Sequence, residues 1–177
     1  MARMKKRFNT TGLCIPEQHY MVDISERVAA ARAMVDRGDY FTINRPRQYG
    51  KTTMHSQLRR TLSDRYVAIS TSFEGVGDRY FESEEKFCKD IFFKFANDIR
   101  FTDEKLSRCL MDRQPNIFDF ETLSFEISEL ANHERRGIVL LIDEVDKSSN
   151  SKVFLQFLGL LRKKYLARER FIQSIRL

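Results

Sequence analysis

The chain has 177 residues and a mass of 21.0 kDa, with 31 Lys and Arg against 25 Asp and Glu, a net charge of +6 and a pI near 9.3. Apolar residues at 42% and charged residues at 32% exclude a disordered or collagen-like chain, and the length suits one domain with a sizeable core. The mild basic excess permits a polyanionic partner without requiring one.

Residues 1–22 read as an irregular segment. Asp23, Ile24, Ser25 and Glu26 have the form of a capping box and open a helix through Val28, Ala31, Met34 and Val35, with Gly38 as its stop. Residues 40–44 are β-rich and read as a strand. Helical periodicity resumes at Met54, Leu58 and Leu62. Residues 66–73 alternate as a strand, and Ser83 opens a helix with Phe87, Ile91, Phe95 and Ile99 on one face. A shorter helix carries Leu106 and Leu110, and another carries Leu123, Ile127, Leu130 and Ala131. Residues 137–142 are continuously apolar, the pattern of a parallel strand covered on both faces. Val153, Phe154, Phe157, Leu158 and Leu161 mark the next helix, and residues 171–177 read as a final strand. Strands alternating with helices predict an α/β sandwich with a mostly parallel sheet.

Cys14, Cys88 and Cys109 form no C-x-x-C pair, so neither a zinc knuckle nor a redox dithiol is readable, and three reduced thiols are expected. The basic N-terminus has no apolar stretch behind it, and no apolar run approaches the ~18 residues of a membrane span. The expectation is a cytoplasmic chain with no membrane partner.

The strand at 40–44 runs into Arg45, Pro46, Arg47, Gln48, Tyr49, Gly50, Lys51, Thr52 and Thr53, then a helix. Strand, loop, Gly-Lys-Thr and helix are the context of a phosphate-binding loop, in which backbone N–H groups and the positive end of a helix hold phosphate oxygens. In that reading Gly50 lets backbone approach a phosphate, Lys51 reaches the β- and γ-phosphates, and the Thr52 hydroxyl ligates Mg2+. Arg47, Gln48, Tyr49 and Thr53 complete the nucleotide-binding set, with Thr53 placed where the helix begins. The full pattern has glycine where this chain has Arg45, and Pro46 fixes one φ of the turn instead.

The apolar run ends in Asp143 and Glu144, as a Walker B strand does. Such a strand lies beside the phosphate-loop strand and delivers carboxylates to the C-terminal edge of the sheet. Asp143 is expected to hold Mg2+, and Glu144 to orient and deprotonate the attacking water. Asp146 and Lys147 receive no role, and Ser148, Ser149 and Asn150 read as the cap of the next helix.

The segments YMVDIS, DYFTINRPRQYGKTT, LIDEVDKSSN and FLGLLRKKYLARE resemble the AAA-ATPase-like proteins of bacteria, whose loop reads Arg-Pro-Arg-(Arg/Gln)-(Phe/Tyr)-Gly-Lys-(Ser/Thr). The resemblance spans about residues 15–175, and that family commonly lacks the first glycine. It implies a three-layer α/β/α P-loop NTPase sandwich with an added strand between the phosphate-loop and acidic strands. Its cofactors are ATP and Mg2+, with Lys51 and Glu144 catalytic and Thr52 and Asp143 at the metal. Members are longer, with a sensor strand, further helices and often a nuclease domain. Residues 1–177 thus read as one ATPase-like domain, the front of a larger module, incomplete at residues 171–177 with no sensor residue, fifth strand or lid assigned.

Three functions stay open from the sequence. The first is ATP binding with hydrolysis, with Arg45, Arg47 or Arg162 as candidate arginine fingers, and the second is nucleotide binding without turnover. The third is nucleic-acid association through Arg32, Arg37, Arg59, Arg60, Arg135, Arg136, Lys163, Lys164, Arg168 and Arg170, whose dispersal fits a solvated surface better. The partner expected is a nucleotide, with a second copy or a further C-terminal module as candidate protein partners.

Overall fold

The apolar run before Asp143 forms strand β3 (Gly137–Asp143), an interior strand of a four-stranded sheet. A computed structural model describes residues 6–10, 13–15, 17–44, 50–145, 150–167 and 172–176. In it β1 (Phe41–Thr42), β4 (Ile172–Arg176), β3 and β2 (Tyr66–Ser72) stand in the order β1-β4-β3-β2, every pair parallel. The acidic strand therefore does not lie directly beside the phosphate-loop strand. Strand β4 intervenes, as the family resemblance implied, and nothing in the composition of either strand could reveal an insertion made by residues so far downstream.

Period-two alternation splits β3 between two cores. Ile138, Leu140 and Ile142 join Val67 and Ile69 of β2 in a cluster with helices α3 (Glu84–Ile99), α5 (Phe120–His133) and α6 (Lys152–Leu166). Val139 and Leu141 meet α1 (Ser25–Asp36) and α2 (Lys51–Leu62) through Val28, Ala31, Val35, Met54, Leu58 and Leu62. Helices thus cover both faces of a small parallel sheet, and the expected α/β class is observed. Helix α4 (Glu104–Arg113) packs on α3, where Ser107 Oγ donates to the Ala96 carbonyl at 2.7 Å.

The larger core is aromatic. Phe73, Phe87, Phe154 and Phe157 are fully buried, with Phe73 and Phe154 centroids 4.6 Å apart in an edge-on arrangement. Burying each such ring contributes about 1.5–3 kcal/mol. Phe73 directly follows β2, and its N–H donates to the Asp143 carbonyl at 3.2 Å. The aromatic cluster therefore pins the C-terminal ends of β2 and β3 together.

Helix ends follow local chemistry, with some shifts from the sequence reading. Ser83 caps α3 by accepting the Lys86 N–H, as expected. Gly38 closes α1 at φ +78°, where its N–H meets the Val35 carbonyl and the Asp39 N–H meets that of Met34. The capping box at the start of α1 does not form. Ile24 holds the N-cap position, because Asp23 Oδ1 is taken by the Ser25 N–H at 2.8 Å. Helix α6 is capped by Ser151, whose hydroxyl accepts the Phe154 N–H, one residue past the expected serine and asparagine run. Within the strand read at residues 40–44, β1 spans Phe41–Thr42 among the described residues, paired with Ile175 and Arg176. Short 3-10 turns at 78–81 and 114–116 join the elements.

Candidate functional site

Helix α2 begins one residue after a left-handed turn. Gly50 has φ +73° and ψ +24° and is the N-cap, a conformation that glycine adopts without a Cβ penalty. The first intrahelical bond runs from the Met54 N–H to the Gly50 carbonyl at 2.9 Å. The N–H groups of Lys51, Thr52 and Thr53 therefore precede the helical ladder and have no acceptor among the described residues, at the positive end of the macrodipole. Lys51 is half-buried and makes no hydrogen bond or ion pair with the described residues, a poor arrangement for a cation there unless an anion is bound. Thr52 is exposed. The helix starts at Lys51, not at Thr53, which is buried in the first turn with its hydroxyl accepting the Cys14 N–H at 3.4 Å. That contact joins the N-terminal segment to α2. The segment is folded back on itself by the Arg7–His19 bridge and by His19 Nδ1, which accepts the Ile15 N–H at 2.9 Å.

The acidic residues arrive on the same edge. Thr42 and Ile142 both pair with Arg176, so β1 and β3 end at one level, two strand spacings or about 10 Å apart. Alternation continues to Asp143, placing its side chain on the face of Val139 and Leu141, where α2 packs. Asp143 Oδ1 accepts the Glu144 N–H at 2.8 Å. Its second oxygen has no donor among the described residues. Glu144 is half-buried at φ +56°, the sole non-glycine residue with positive φ among the described residues. A left-handed non-glycine residue costs about 1–3 kcal/mol and persists where the surroundings fix it, a pattern concentrated at functional sites.

A third group was not legible in the sequence. His55 lies four residues beyond Lys51 on α2, with Nε2 3.3 Å from Ser70 Oγ of β2. Burial lowers its pKa, and Arg59 lowers it further, against the Asp143 carboxylate, which pulls it up. Ser70 N–H donates to Asp98 Oδ2 of α3 at 2.6 Å, and Asp98 pairs with Arg59 of α2 at 3.1 Å. Burial nonetheless pushes the Asp98 carboxyl above its ordinary pKa. The available signal was a polar residue one turn past Lys51, between the apolar Met54 and Leu58. Its partners come from distant parts of the chain.

Gly50, Lys51, Thr52 and Thr53 thus gather at the start of α2, and Asp143 and Glu144 at the end of β3. Arg45, Pro46, Arg47, Gln48, Tyr49, Asp146, Lys147, Ser148, Ser149, Arg168, Arg170, Phe171 and Leu177 lie outside the described residues. Of the basic residues, Arg32 pairs with Asp64, Arg37 with Asp39, and Arg136 with Asp103 and Glu134. Lys164 is buried and donates to Ser128 Oγ at 2.6 Å, while Arg162 is exposed on α6. The three cysteines are free. Among the described residues no three or more His, Cys, Asp and Glu side chains gather as a metal cluster, and no helix is long and apolar enough to cross a membrane.

Magnesium is commonly held by one or two carboxylates, hydroxyls and substrate phosphates, not by an all-protein cage. The Asp143 oxygen that has no donor among the described residues and the Thr52 hydroxyl fit that donor set.

The fold and site define an α/β protein with polar groups collected at the C-terminal edge of a parallel sheet. The model of the AAA-like domain matches residues 16–177, and the chain belongs to that family. Membership makes it AAA-ATPase-like and nucleotide-binding at the level of the family. No curated protein and no solved structure matches it.

Proposed function

We propose that the chain binds ATP with Mg2+ in a three-layer P-loop arrangement and hydrolyses it. The observation that carries this reading is the pairing of two features on one sheet edge. Helix N–H groups with no acceptor among the described residues follow left-handed Gly50, and an acidic strand end carries the strained Glu144. The N–H groups of Lys51, Thr52 and Thr53 bind phosphate oxygens, and the Lys51 ammonium reaches the β- and γ-phosphates. Arg47, Gln48 and Tyr49 complete the nucleotide loop by family resemblance. Thr52 and Asp143 hold Mg2+, which when bound neutralises charge on the phosphates. Glu144 orients water and accepts its proton, with the carboxylate aimed by a backbone that the Asp143 Oδ1 bond helps to fix.

The test is phosphate release. Wild-type protein releases phosphate from ATP with Mg2+, and Glu144→Gln reduces the rate at least about 100-fold while retaining ATP binding. Equal rates in the two proteins contradict the role of Glu144. Binding without release in wild type favours the nucleotide-binding module without turnover, the second reading left by the sequence.

A further inference from the structure

His55 is used by no step of the proposed reaction. It stands one turn beyond Lys51, and residues four apart share a helix face. Helical side chains lean toward the N-terminus of their helix, so the imidazole covers the turn that begins with Lys51 and Thr52. In the β2–β3 register Ser70 pairs with Leu141 and Ser72 with Asp143. Ser70, which holds His55 Nε2, therefore sits one pleat repeat below the Asp143 carboxylate on the same sheet face. Ser70 is fixed in turn, because Asp98 takes its N–H and is itself held by Arg59, one further turn along α2 from His55.

With Nε2 occupied by Ser70, Nδ1 has no partner among the described residues. A neutral imidazole offers one donor and one acceptor nitrogen. A site for Mg2+ keeps several waters on the ion, and groups behind the direct ligands order them. Asp143 and Arg59 are the charged groups whose fields reach the ring, and Ser70 supplies its neutral contact.

We propose that His55, oriented by Ser70, is a positioning residue that orders the outer shell of a divalent-cation site at Asp143. The inference rests on the ATP and Mg2+ reading above and adds to it a residue outside both motifs. Its reach is the metal-dependent part of nucleotide affinity, not the phosphate cradle itself.

ATP titration of the full chain with and without Mg2+ tests this, using wild type, His55→Ala, His55→Gln, Ser70→Ala and the His55→Ala/Ser70→Ala pair. Wild type gains ATP affinity on adding Mg2+. His55→Ala cuts that gain about tenfold, the lower range for loss of an outer-shell partner. Ser70→Ala cuts it less, and the double variant loses no more than His55→Ala, because the serine acts through the imidazole. Metal-free affinity is unchanged throughout, and His55→Gln, whose amide matches the reach of Nε2 and not of Nδ1, loses the gain much as His55→Ala does. An undiminished gain in Ser70→Ala and the His55 variants overturns the proposal, as does an equal loss of metal-free and metal-dependent affinity, which marks a packing role. Should His55→Ala fail to fold, Ser70→Ala and His55→Gln decide between these outcomes. Wild type without any ATP affinity brings down the ATP reading and this inference with it, whereas intact wild-type binding with unaffected variants brings down the inference alone.

Discussion

The two faces of β3 are made from neighbouring residues and do different work. On one, Ile138, Leu140 and Ile142 meet a dry layer of aromatic rings from α3 and α6. On the other, Val139 and Leu141 pack on α1 and α2, but the row ends in Asp143, with His55, Ser70 and Thr53 close to the helix start. The aromatic face supplies stability and fixes where β2 and β3 end. At the edge of the α2 face the backbone of Glu144 is strained and Lys51 has no partner among the described residues, features that a purely structural surface has no reason to keep. Rigid support behind a polar edge is what a site requiring sub-ångström placement needs.

The largest expected effect breaks the aromatic face. Phe87→Ala removes a fully buried ring and is expected to cost about 3–5 kcal/mol in urea denaturation. Its remaining folded fraction should bind ATP as wild type does. Leu58→Ala on α2, costing about 2–5 kcal/mol, should weaken ATP binding as well, since that helix carries the site. Equal effects of the two substitutions on affinity would erase the distinction between the faces.

Glu144→Gly sharpens the contrast at smaller cost. Glycine relieves the positive φ, so stability is expected to rise by about 1 kcal/mol while phosphate release stops. A destabilised variant would mean that Glu144 is held by contacts worth more than its backbone strain.

The smallest effect concerns pH. The pKa of His55 in the fold is lowered by burial, so the folded state binds fewer protons than the unfolded chain as pH falls through the ordinary histidine range, about 6.5. Its contribution to stability is present above that range and lost as pH drops through the lowered folded value. Denaturation midpoints of wild type should therefore fall more steeply than those of His55→Gln. Asp98, common to both proteins, cancels from the comparison.

Much of this architecture was readable from periodicity. The row Phe87, Ile91, Phe95 and Ile99 gave α3 its buried face, Ser83 its cap, and residues 137–142 their place in the interior of the sheet. The acidic strand end was equally plain, whereas α2 starts at Lys51, two residues before the Thr53 read from the sequence. Strand order was not, because β4 inserts between β1 and β3 from the far end of the chain. The capping box at Asp23 failed because a nearer donor, the Ser25 N–H, took the carboxylate. The left-handed backbone of Glu144 and the His55–Ser70–Asp98–Arg59 network depend on tertiary placement, and no local spacing encodes them.

The most direct test of a nucleotide site at this sheet edge is calorimetric titration of ATP and Mg2+ into wild type and Lys51→Ala. Loss of a charge-assisted contact to phosphate should weaken binding at least about tenfold. Indistinguishable affinities in the two proteins, or no binding to wild type, would contradict the account.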